Sequence, residues 1–275
     1  MARIKEWEEL TICDNFLFQK VMQNKRLCKR LIQKLLKINV KKIIYPVAEK
    51  SIAIGATSKS VRLDLYVETD EGTIVDIEIQ TTDGADGWLP KRTRYYQAMI
   101  DLDVLGKGRD YIELKKSYVI FICTFDPFDL GEKVYTFSNI CHERGDLELG
   151  DETTKLFLNA KGTTGNVDKD IDSFLAYVDG KTAEGKFTQD IAAEVERVKQ
   201  HNETRVEYMT LMMELKQQRR EGYAEGEASG IAKGQDSERL NSIRNLMESL
   251  HLTAQQAMDA LKIPAKDQPK YASQI

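Results

Sequence analysis

The chain has 275 residues, 41% of them apolar and 31% charged, which suits a folded core under a solvated surface and excludes wholesale disorder. Lys and Arg number 40 against 44 Asp and Glu, a net charge of −4, so a globally basic nucleic-acid binder is excluded while a local basic face is not. The most apolar run, Tyr118 to Thr124, falls far short of the roughly 18 residues a membrane helix needs, and Met1 to Leu10 carries Glu6, Glu8 and Glu9 instead of an apolar signal core, so a cytoplasmic protein without a membrane partner is expected.

Residues 14 to 38 read as one amphipathic helix, with Phe18, Val21, Met22, Leu27, Leu31 and Leu35 at helical spacings and Asp14 placed as its N-cap. Between Asp14 and Glu49 there is no acidic residue, while Lys20, Lys25, Arg26, Lys29, Arg30, Lys34 and Lys37 accumulate. In an acidic protein such a one-signed stretch suggests a phosphate-facing surface, against the plainer alternative of a solvated face.

From Ile43 the period changes to two, with Val61 to Val67 and Ile74 to Gln80 as clear strands joined by Asp70-Glu71-Gly72, a three-residue hairpin loop with glycine in the left-handed position. Asp83 to Gly87 is a loop by composition, and Pro90 stands at N1 of a helix reaching about Leu105. Lys116 to Phe125 reads as a buried central strand and Tyr135 to Asn139 as one more. Helix, three strands, helix and strand make an α/β (α+β) arrangement with helices packed on a mixed sheet.

Residues 1–165 are expected to form this domain, and 166–275 a helical C-terminal extension. Gly222, Gly226, Gly230 and Gly234 recur there. Each costs about 1 kcal/mol inside a helix, so the 222–234 segment is read as either a close-packed helix face or a loose linker, the linker being favoured for the isolated protein. Asp236 to Leu261 reads as two short helices broken near His251-Leu252-Thr253, with Thr253 as an N-cap and Pro264 beyond the stop. The four cysteines and three histidines show no metal-ligand spacing, and nothing in the sequence asks for zinc, a disulfide or a small-molecule cofactor.

Centring the hairpin on Glu71 pairs Asp64 with Glu78. Alternation then places Arg62, Asp64 and Tyr66 on one face with Asp76, Glu78 and Gln80. The opposite face, Leu63, Leu65, Val67, Ile77 and Ile79, is the expected core, and the acid face is expected to remain open. Two carboxylates with Cβ atoms about 4.5–5.5 Å apart repel unless a cation lies between them. Mg²⁺, with Mn²⁺ as a substitute, suits one or two carboxylates, waters and phosphate oxygens, and the chemistry it supports is phosphodiester hydrolysis. Gln80 can hold a water or a phosphate oxygen but cannot act as a base. Arg62 is level with Gln80, and Arg92 and Tyr96 at i and i+4 bring phosphate-binding and stacking groups from the following helix, where Arg94 also lies. The plainer alternative is that the acids decorate a solvent-exposed sheet face.

Arg62-Leu63-Asp64-Leu65-Tyr66, Asp76-Ile77-Glu78-Ile79-Gln80 and Lys91-Arg92-Thr93-Arg94-Tyr95-Tyr96-Gln97 resemble segments of the PD-(D/E)XK nuclease family transposases, the recombination-promoting nuclease group. Asp14-Asn15-Phe16-Leu17-Phe18 and Cys123-Thr124-Phe125-Asp126-Pro127-Phe128 resemble others. The resemblance covers about Asp14 to Gly162. It implies a restriction-endonuclease-like core of order αβββαβ and a Mg²⁺-dependent DNA endonuclease linked to transposition or recombination, with Asp64 and Glu78 as metal ligands. Gln80 then stands where the wider superfamily has lysine, Leu63 replaces the motif's proline, and Asp14 or Glu49 is a supporting acid. The alternative function is a weak or inactive module that binds DNA or recruits partners on a nuclease scaffold. Because cutting both strands commonly uses two sites, the C-terminal helices are candidates for homodimer formation.

Overall fold

The structure is a computed structural model that describes residues 3–52, 61–82 and 88–275, without the side chains of 45–51 and 61–62. The expected loop at 83–87 lies outside these residues. The described chain divides into two compact units, Met1–Tyr208 and Met209–Ile275.

The first unit is built on a six-stranded sheet of order β1-β2-β3-β4-β6-β5. Its strands are β1 (Ile43–Ile52), β2 (Val61–Thr69), β3 (Ile74–Gln80), β4 (Ser117–Cys123), β5 (Val134–Phe137) and β6 (Thr153–Asn159). The first three are antiparallel neighbours, β3 to β4 and β4 to β6 are parallel, and β5 returns antiparallel on the edge. The expected register of the β2–β3 hairpin is observed, with Leu65 opposite Ile77 and Tyr66 opposite Asp76. Gly72 takes φ +79° in the turn, and its N–H donates to the Thr69 carbonyl at 3.0 Å. Strand β6, pairing parallel with β4, was not expected from the sequence.

Helix α3 (Leu89–Val104) forms the crossover from β3 to β4, its N1 residue being Leu89, one before Pro90. It covers the sheet face carrying Tyr66, Ile74, Val119, Phe121 and Phe157, against which Leu89, Tyr96, Met99 and Ile100 pack. The acid face is therefore not open. Every residue of β3 is buried, which removes the solvent-exposed alternative.

The segment expected to be one helix is two, α1 (Asn15–Met22) and α2 (Lys25–Leu36). Asn24 breaks it by accepting from the Arg26 and Leu27 N–H groups, an N-cap that restarts the helix. Helices α4 (Lys169–Val178) and α5 (Gly185–Lys199) pack with α1 and α2, so the first unit extends beyond residue 165 to Tyr208. Acids further along the chain meet the basic stretch: Lys20 pairs with Glu207 at 2.6 Å, Arg30 with Asp190 of α5 at 2.5 Å and Lys34 with Asp170 of α4 at 2.5 Å. A face that is one-signed in sequence is thus partly neutralised in space.

Helix α6 (Asn202–Leu250) is continuous through Gly222, Gly226, Gly230 and Gly234, so the linker expectation is corrected. A Cβ at any of these four glycines meets nothing within 4 Å, so no close approach by the described residues requires them. In the second unit, Ile243 of α6, Ala257 and Met258 of α7 (Ala254–Ala260), Ile263, and Tyr271 of α8 (Gln268–Ala272) make a small core. The break at His251 to Thr253 is observed, with Thr253 and Gln256 forming a capping box. Replacing Gly226 and Gly230 by alanine should stabilise this helix by about 1 kcal/mol each. The gain should be read as higher helicity and slower amide exchange around residues 222–234, whereas a linker would show neither.

Candidate active site

Asp64 lies near the start of β2, and Asp76, Glu78 and Gln80 project on one face of β3. Beyond the Leu65–Ile77 pair, the hairpin is continued by a side chain: the Asp64 N–H donates to Glu78 Oε1 at 2.9 Å. The two motif acids are thereby brought together, as their register predicts. Glu78 and Asp76 are fully buried, and Asp64 and Gln80 nearly so.

Helix α3 places a guanidinium on this cluster. Arg92 Nη2 donates to Glu78 Oε2 at 2.7 Å and Nη1 to Gln80 Oε1 at 3.0 Å, while Nε donates to the Tyr96 hydroxyl at 2.7 Å. Its central carbon lies 5.2 Å from the Trp88 ring, 4.8 Å from Tyr96 and 5.5 Å from Phe121, distances at which aromatic faces attract a cation. The i, i+4 relation of Arg92 and Tyr96 therefore serves the acids. Tyr96 is buried against Phe121, whereas Arg94 and Tyr95 on α3 are exposed.

Gln19, missed in the sequence, reaches the site from α1 and donates to Asp64 Oδ1 at 3.3 Å. It is buried, and its signal was a polar side chain set among Leu17, Phe18, Val21 and Met22, all core residues. Asp14 is placed elsewhere: it accepts from Lys5 and Thr11 at the head of α1, and its side chain does not cap the helix. Glu49 falls between Ala48 and Lys50, whose β2 partners are Leu65 and Leu63, so its strand position is level with Asp64. Arg62 is opposite Ser51. The side chains of Glu49 and Arg62 lie outside the described residues.

Burial dominates the electrostatics. It raises the Asp76 carboxyl well above the ordinary range, with Glu78 and Asp64 adding repulsion and Arg92 opposing it. Burial likewise lifts Glu78 to about 8, with Asp64 adding and Arg92 opposing. Neither Asp76 oxygen has a hydrogen-bond partner among the described residues, an arrangement that is costly for a charged group. Among the described residues no group of three or more His, Cys, Asp or Glu is gathered to hold a metal. Glu78 lies beside Asp64, and both its oxygens are engaged, Oε1 by the Asp64 N–H and Oε2 by Arg92 and Gln80.

Because both carboxyls titrate higher in the folded chain than in the unfolded one, the native state retains protons that the unfolded state releases. Their stabilising contribution is complete below the ordinary carboxylate range and is lost as pH rises through the folded values. In chelator, Asp76→Asn should therefore melt above the unsubstituted protein at pH 8, with the difference shrinking towards pH 4. Thermal melts across this range check it, and a lower melting point at pH 8 would contradict it.

A family model described as PD-(D/E)XK nuclease family transposase matches residues 15–229. The mixed six-stranded sheet with flanking helices is consistent with the restriction-endonuclease-like α/β fold of that family. No curated protein and no solved structure matches the chain.

Proposed function

We propose, for a chain that belongs to the PD-(D/E)XK nuclease family transposases, that it is a Mg²⁺-dependent DNA endonuclease acting in transposition or recombination. The family indicates a nuclease role linked to transposition. Support for the catalytic step comes from one observation above the others, the bond from the Asp64 N–H to Glu78 Oε1 that ties the two acids together inside the protein.

Asp64 and Glu78 would hold the divalent ion. When bound, such an ion supplies an acidified water and neutralises charge developing on a phosphodiester. The protein's own residues do the rest. Gln19 orients Asp64 through its amide. Gln80 Nε2 donates to Glu78 Oε2 at 3.4 Å, which orients its amide without giving it a base's role. Tyr96 and Phe121 exclude water from the inner side of Glu78, so the electrostatic forces there are less screened. Arg94 and Tyr95, exposed on α3, and Arg62 are the proposed outer contacts to DNA phosphates and sugars. The same function keeps the protein in the cytoplasm with DNA as its partner; among the described residues no helix is long and apolar enough to cross a membrane.

A second function, DNA binding without cleavage, is favoured by Gln80, which can neither carry a charge nor accept a proton. Cleavage of supercoiled DNA in Mg²⁺ or Mn²⁺ separates the two. The endonuclease should nick or linearise it, chelator should stop the reaction, and Asp64→Ala and Glu78→Ala should each abolish it. Cleavage surviving both substitutions would remove the proposal, and salt-dependent binding indifferent to Asp64→Ala, with no cleavage, would establish the second function.

Cutting both strands suits a homodimer, and Met209 and Met213, one turn apart and exposed on α6, offer an apolar contact for a second copy. Light scattering should give a dimer mass for the full chain and a monomer mass for Met209→Glu with Met213→Glu. A monomer in both cases would count against dimer formation.

A further inference from the structure

We propose that Arg92 is the fixed positive charge of the site, carried on α3 because β3 offers only an amide at Gln80, so that a charge at either position can serve. The inference deepens the proposed endonuclease and rests on it for the substrate class, a phosphodiester anion.

Three observations carry it. First, the guanidinium bridges the two functional side chains of β3, with Nη2 on Glu78 at 2.7 Å and Nη1 on Gln80 at 3.0 Å. Its charge therefore lies at the end of the position-80 side chain, where a cation projecting from β3 itself would also arrive. Gln80 turns its oxygen to Arg92 and its nitrogen to Glu78, the only way round in which an amide can serve both neighbours. A lysine at 80 beside Arg92 would place two like charges together.

Second, the guanidinium is fixed and not merely drawn to the acids. Trp88, Tyr96 and Phe121 surround it, and the Tyr96 hydroxyl accepts from Nε and Nη2. A planar fork that stacks on rings while donating along its edge is what arginine provides and lysine does not. Third, Arg92 is the group nearer the solvent: its side chain is 21% exposed, that of Glu78 0%. Of the two Nη1 hydrogens, Gln80 takes one, and the other has no protein acceptor among the described residues. An anion approaching from solvent meets this donor before it meets the carboxyls, whose repulsion Arg92 offsets.

The test moves the charge. Unsubstituted protein, Arg92→Gln, Arg92→Lys, Gln80→Lys and the double variant Arg92→Gln with Gln80→Lys are compared in duplex-DNA affinity by fluorescence anisotropy in chelator, in Mg²⁺-supported cleavage, and in thermal melts that establish folding. Arg92→Gln should weaken DNA binding about tenfold, the loss of one charge-assisted contact, and slow cleavage by roughly a hundredfold. The double variant should regain most of both, whereas Gln80→Lys alone should gain nothing. Arg92→Lys, which keeps the charge but not the planar fork, should bind more tightly than Arg92→Gln and less tightly than the unsubstituted protein.

If the folded double variant binds and cleaves no better than Arg92→Gln, Arg92 is a structural brace and the proposal is overturned. Arg92→Gln that binds and cleaves like the unsubstituted protein overturns it as well. Loss and recovery of DNA binding in a protein that never cleaves would uphold the charge assignment while removing the endonuclease function.

Discussion

Burying a carboxylate costs several kcal/mol unless it is paired or protonated, and the first unit buries Asp64, Asp76 and Glu78 together. The position of β3 makes this unavoidable. It is paired on both edges and covered on both faces, so polar side chains on its even-numbered positions have nowhere to go but inward. Glu78 is accommodated by one bond from the neighbouring strand and another from Arg92. Asp76 receives neither. A protein selected only for stability would place aliphatic residues there, as it does at Val75, Ile77 and Ile79, and strain of this kind concentrates at functional sites.

The remaining elements can be understood by how they serve that cluster. Helix α3 covers the face with Tyr96, Met99 and Ile100 and lowers one basic side chain onto the acids. Helix α1 presents Gln19 to Asp64. The basic side chains along α1 and α2 are largely engaged in packing the helical layer. Lys20, Arg30 and Lys34 pair with acids far along the chain, contacts individually worth about 1 kcal/mol or less where exposed. Among the described side chains, the positive charge that reaches the acids Glu78 and Asp76 is Arg92, set among aromatic rings.

The second unit follows a different logic. Its core is small, built from Ile243, Ala257, Met258, Ile263 and Tyr271, and it relies on local devices: the Thr253–Gln256 capping box and the Tyr271 hydroxyl donating to Asp236 at 2.7 Å. The four spaced glycines stand in open helix surface, and nothing within the described chain accounts for them.

Short-range periodicity was enough for the sequence to determine the strands β2, β3 and β4, the hairpin turn at Gly72 and the meeting of Asp64 with Glu78, because a two-residue repeat and a turn length leave one register that buries the apolar side chains. The break at Asn24 was missed because a cap depends on backbone angles that an unbroken apolar stripe conceals. Strand β6 was missed because its pairing with β4 joins segments far apart in sequence. Only the tertiary structure decided that the acid face is roofed, that Arg92 and Tyr96 point into it, that Gln19 touches Asp64 and that the basic stretch meets acids. Each depends on which elements become neighbours in space, a choice made by the packing of the whole chain and not by any local pattern of residues.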